Sequence, residues 1–70
     1  MSATALRSSV ADVLGQSQQP LLRRLHVEEN DQEVVLEGTV PTYFLKQLAQ
    51  ETVRPCLGSR RLLNRIVVDN

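Results

Sequence analysis

Glu33-Val34-Val35-Leu36-Glu37-Gly38-Thr39-Val40 is the stretch that decides how this 70-residue chain folds. Val34, Leu36, Gly38 and Val40 fall on one face, and Glu33, Val35, Glu37 and Thr39 on the other, which is the period of a strand half buried in a sheet. The β-branched residues favour the pleated backbone. A glycine on the buried face, where a large side chain is due, predicts that a helix lies close to the backbone at that point.

Working outward, the polar turn Glu29-Asn30-Asp31-Gln32 separates this strand from an earlier stretch of period two. There Leu21, Leu25 and Val27 face inward and Leu22, Arg24, His26 and Glu28 outward, so a strand over 21–28 pairs with 33–40 as an antiparallel hairpin. Beyond it, Pro41-Thr42 ends the strand and supplies a cap for a helix over 43–54, with Leu45, Leu48, Ala49, Thr52 and Val53 at helical spacing as far as Pro55. In that helix Phe44, four residues before Leu48, is expected at the edge of the core and Tyr43 in solvent. Cys56-Leu57-Gly58-Ser59 forms the return loop. A strand over 61–68 then alternates Leu62, Ile66 and Val68 with Leu63, Arg65 and Val67. At the other end of the chain, Leu6, Val10, Val13 and Leu14 make one apolar stripe on a helix over about 3–15, with Ser2 or Thr4 as cap. The fold class is α+β: a single αββαβ domain over 1–70, with a three-stranded mixed sheet and two helices on one face.

Composition narrows the function classes. Hydrophobic residues make up 41% of the chain, yet it has one Phe, one Tyr and no Trp, so the core must be aliphatic. Eight Lys and Arg balance eight Asp and Glu, and this zero net charge argues against a nucleic-acid partner. Cys56, a lone cysteine, leaves no intrachain disulfide and no structural zinc site. The segment from Met1 lacks the pattern of a signal peptide, and no stretch is long enough to span a bilayer, so the chain as written reads as cytoplasmic.

Set in order, Asp31-x-x-Val34-x-Leu36-x-Gly38-Thr39-Val40 and, after a helix, Gly58-x-x-x-Leu62-x-Asn64-x-Ile66-x-Val68 resemble the BON domain. That family comprises small modules of bacterial osmotic-shock periplasmic proteins, envelope lipoproteins and channel- or secretin-associated proteins, and the likeness runs from about Leu6 to Val68. The resemblance implies a non-enzymatic binding module attaching to phospholipid surfaces or envelope proteins, in relatives that are often periplasmic. Read from the residues themselves, Gly38, Gly58 and Asn64 are structural, since the glycines make no phosphate-cradling loop. Two positions depart from the family pattern: Gln32 stands in the hairpin turn where a glycine is usual, and Ser59 where an aliphatic residue is usual. Asn30 or Asp31 is expected to supply a left-handed turn conformation instead.

No catalytic or cofactor constellation emerges from the residues. His26 has no nucleophile at a catalytic spacing, and Cys56 follows a helix C-terminus, where a thiolate is disfavoured, so it reads as core filler. Asn64 shares the parity of core positions and should satisfy a backbone group. The topology brings Glu28, Glu29, Asp31 and Glu33 to the same end of the sheet as Arg60 and Arg61, while Arg23 and Arg24 lie at the other end, nearer Asp69. The arginines therefore do not combine into one anion-binding patch, which weakens the phospholipid reading. A cation at Glu29, Asn30 and Asp31, suggested by a potassium-binding relative, lacks the graded ligand spacing of a calcium loop. What stands out is the outward sheet face, where Leu22, Val35, Leu63 and Val67 lie among Arg24, Glu37 and Arg65. This is the candidate interaction face, for a protein partner or for self-association into a homo-oligomer, and the free sheet edge is a second route by strand addition.

Overall fold

Ser9 starts the first helix. In the computed structural model, which describes residues 9–69, Ser9 is extended and its hydroxyl accepts the backbone N–H of Asp12 at 3.0 Å, opening α1, Val10–Gly15. Of the helix expected over about 3–15, the part from Val10 is present and is capped by Ser9; residues 3–8, with Thr4 and Leu6, and the proposed cap Ser2 lie outside the described residues.

The strand expected over 21–28 is half its predicted length. Pro20 introduces a succession of tight turns, with Leu22, Arg23, Arg24 and Leu25 N–H groups each donating to the carbonyl three residues back, and Leu22–Arg24 is a 3-10 helix. Its rotation of about 120° per residue turns Leu22 inward, where the side chain is only 1% exposed, instead of outward as the alternation implied. Only His26–Glu29 then forms β1.

β2, Glu33–Val40, and β3, Arg61–Val68, keep the predicted bounds. The sheet order is β1-β2-β3, antiparallel between the first pair and parallel between the second, with Val34 level with Leu62 and Gly38 with Ile66. The hairpin turn needs no left-handed residue: among the described residues positive φ occurs only at Gly38 and Gly58. Instead the Asn30 carboxamide oxygen accepts the N–H groups of Gln32 and Glu33 at 2.7 and 2.9 Å, so a side chain closes the turn that a glycine closes elsewhere.

Between the parallel strands runs α2, Tyr43–Val53, capped by the Thr42 hydroxyl on the N–H of Leu45 and continued by a 3-10 turn, Arg54–Cys56, that contains Pro55. Its buried stripe is Leu45, Ala49 and Val53. These pack with Val10 and Leu14 of α1, with Leu22, and with Val34, Leu36, Val40 and Ile66 of the sheet into one aliphatic core. Both helices thus cover the same face. Phe44 does not join them; at 69% exposed it stands in solvent beside Tyr43.

Gly38 has a φ of +143°, and a Cβ there would lie 2.7 Å from Cδ2 of Leu25. What comes close is therefore the Leu25 side chain folding over from the start of β1, not a helix. Asn64 links β3 to α2: its amide nitrogen donates to Gln50 Oε1 at 3.1 Å and reaches the Lys46 carbonyl at 3.5 Å, and its oxygen accepts the N–H of Ile66.

Candidate functional site

Alternation leaves on the outer face of the sheet His26 and Glu28 from β1, Val35, Glu37 and Thr39 from β2, and Leu63, Arg65 and Val67 from β3. The register sets them in rows: Glu28, Val35 and Leu63 in one, His26, Glu37 and Arg65 in the next, and Thr39 beside Val67 above. Val35 and Leu63 are half-buried by their neighbours, whereas Val67 is 57% exposed. Of the residues predicted for this face, Val35, Glu37, Leu63, Arg65 and Val67 are brought together on it. Leu22 is not, because the 3-10 turn puts it in the core; Arg24 is exposed on that same turn rather than on the sheet.

Charge on this face is arranged in pairs. His26 Nε2 and Glu28 Oε2 are 2.9 Å apart, and this hydrogen bond outweighs desolvation and, with lesser help from the charges of Glu28 and Glu37, raises the imidazole pKa above its ordinary 6.5. Arg61 lies 3.6 Å from Glu33 at the lower margin. Glu37 and Arg65 stand level on adjacent strands.

A second, more sheltered pair closes the end of the molecule beneath the hairpin. Arg60 donates to Glu29 at 3.0 Å and also to the carbonyls of Leu57 and Cys56, at 3.0 and 2.8 Å. Glu29 in turn accepts the N–H of Ala11 at the start of α1. Partial burial pushes the Glu29 carboxyl up, but the hydrogen bonds from Arg60, Ala11 and Val10 and the Arg60 charge more than offset it, and its pKa lies below the usual value. The clasp ties α1, β1 and the loop before β3 to one another. Two of the three residues on which the cation reading rested are engaged, Glu29 by Arg60 and the Asn30 carboxamide by two backbone amides. Among the described residues, no group of three or more His, Cys, Asp and Glu side chains is placed to hold a metal ion.

Cys56 is half-buried against the core, and Arg23 donates to the carbonyl of Ser17. The residue sequence reasoning misplaces is Phe44, expected at the core edge and found exposed beside Tyr43, which is in solvent as expected. The signal was present: Leu45, Ala49 and Val53 recur every four residues, and Phe44 precedes that stripe by one position, about 100° around the helix.

A family model described as BON domain matches residues 2–70 of the chain. No curated protein and no solved structure matches it.

Proposed function

This chain belongs to the BON domain family, and from that premise we propose that it is a non-enzymatic binding module whose docking surface is the outer face of the sheet. One observation carries the reading: both helices lie on the other face, so Val35, Leu63 and Val67 form an aliphatic strip that nothing among the described residues covers. The distribution of charge favours a protein as the target, the family's association with envelope proteins making an envelope protein the partner class. Arg54, Arg60 and Arg61 are in ion pairs, Arg23 is turned onto a carbonyl, and the chain is neutral overall, so attraction to an anionic bilayer is weak. A photo-crosslinking residue at Val67 is expected to capture a protein in cells while one at Gln47, exposed on α2, does not. Equal capture at both positions, or none at Val67, would overturn this reading.

Attachment to a phospholipid surface is a second reading, favoured by Tyr43 and Phe44, adjacent and 66% and 69% exposed, as aromatic side chains that sit at bilayer interfaces are. Co-sedimentation with anionic vesicles, abolished by Tyr43→Ser with Phe44→Ser and retained at moderate salt, would support it. The absence of pelleting at low salt would remove it. No helix of the described residues is long and apolar enough to cross a membrane.

A further inference from the structure

We infer that the outer sheet face binds a second copy of this chain, about a two-fold axis running along the strands between β2 and β3. The inference rests on the reading of that face as a protein-docking surface and assigns it to a second copy, with a different envelope protein as the occupant left if the test fails. Its basis is register. Along β2 the outward residues run Glu33, Val35, Glu37, Thr39; level with them on β3 run Arg61, Leu63, Arg65, Val67. Each acid of β2 thus stands beside a base of β3, and each uncharged residue beside an aliphatic one.

A symmetric dimer requires a patch complementary to itself, since residue i meets residue j and j meets i. Laying a second copy face to face about this axis sets β2 of one copy on β3 of the other at the same height. Glu37 then meets the second copy's Arg65, Glu33 its Arg61, Val35 its Leu63 and Thr39 its Val67. Around the axis the four charges at the level of Glu37 alternate in sign. Other axes do not give this. One along β2 itself would oppose Glu37 with Glu37 and His26 with Arg65, and one across the strands through Val35 would oppose Glu33 with Glu37 and Arg61 with Arg65. Like charges held together in an interface are strongly unfavourable, so the pattern selects one arrangement.

The contact is small. Strands of eight residues are about 26 Å long and the shared face is two to three strands, about 10–14 Å, wide. That footprint is roughly half the ~800 Å² per partner of a standard interface, so the association is weak and concentration-dependent. Glu33 and Arg61 lie at the rim of the contact, where salt screens them.

Sedimentation velocity across roughly 10 µM to 1 mM, a range suited to a weak interface, reads the association directly, with circular dichroism confirming that each variant folds. Arg65→Glu alone makes all four charges acidic, and Glu37→Arg alone makes them basic; each is expected to weaken self-association at least about tenfold. Mixing the two variants in equal amounts should restore it, because one copy then brings two acids and the other two bases. Glu37→Arg with Arg65→Glu in one chain should restore it as well. Wild-type protein that stays monomeric throughout overturns the second copy as occupant, leaving the face reading to the crosslinking at Val67. Association that survives the single variants, or is not regained in the mixture, overturns the register while leaving the face in place provided Leu63→Glu abolishes it. Association indifferent to Leu63→Glu as well sinks both readings.

Discussion

The two faces of this sheet are built by the same strands from the same kinds of residue, and they end in opposite surroundings. Val34, Leu36 and Val40 are fully buried under two helices, while Val35, interleaved with them, and Leu63 and Val67 across from it, look outward beside charged neighbours. An aliphatic side chain in a strand therefore says little about stability until it is known which face has cover. On the inner face it stabilises the fold; on the outer face it is available for a partner.

The largest effect should come from equal truncations on the two sides. Leu36→Ala is expected to cost about 2–4 kcal/mol through lost burial and a residual cavity, and Leu63→Ala no more than about 1 kcal/mol. Urea titration of both, read as the shift in midpoint at constant slope, checks the difference, and equal costs would mean the outer face is as well packed as the inner. Gly38→Val follows. It combines a left-handed φ with a Cβ in the space of Leu25 and should cost roughly 2–4 kcal/mol. Adding Leu25→Ala relieves only the second contribution, so a double variant as stable as wild type would show that φ carries no strain there.

Ion pairs sharpen the same contrast on a smaller scale. The side chains of Arg60 and Glu29 are about four-fifths shielded, and Arg60 also satisfies two carbonyls, so Arg60→Ala should cost about 1–2 kcal/mol. Because the folded Glu29 pKa lies below its unfolded value of about 4.5, this contribution is present above that pH and disappears as pH falls through the folded value. Wild type should accordingly lose more stability than Arg60→Ala between neutral pH and pH 3 in thermal melts. The smallest effect belongs to the exposed pair His26 and Glu28 on the outer face. Here the folded pKa is raised, so any stabilisation holds below 6.5 and is lost as pH rises through the folded value. An NMR titration should place His26 above 6.5 and Glu28→Gln should lower it; an unchanged midpoint in that variant would exclude Glu28 as the cause.

Much of this was legible in the chain. The alternation over 33–40 and 61–68, the Thr42 cap and the glycines at the sheet gave β2, β3 and α2 within a residue or so, because each element rests on local signals several residues long. Leu22 was misread since two or three residues fit a period of two and a 3-10 turn equally well, and the hydrogen bonds begun at Pro20 decide between them. The neighbour of Gly38 was misassigned because a glycine reports close approach without saying from which side. On the candidate site, parity alone placed Val35, Glu37, Leu63, Arg65 and Val67 correctly. What parity does not contain is the pairing of charges across strands, which depends on register and hence on the whole turn and crossover.

Asn64 has a consequence for how far the sheet can grow. The N–H groups of Arg61 and Asp69 donate to Gln32 and Val40 of the β2 side, so by alternation those of Leu62, Asn64, Ile66 and Val68 point to the open side of β3. The Asn64 oxygen takes up the Ile66 amide in the middle of that row, and its amide group is anchored on α2. An incoming strand would find its central donor already spent and would have to uproot a side chain from the helix to reach it. One asparagine thus obstructs the addition of a further strand along the open side of β3.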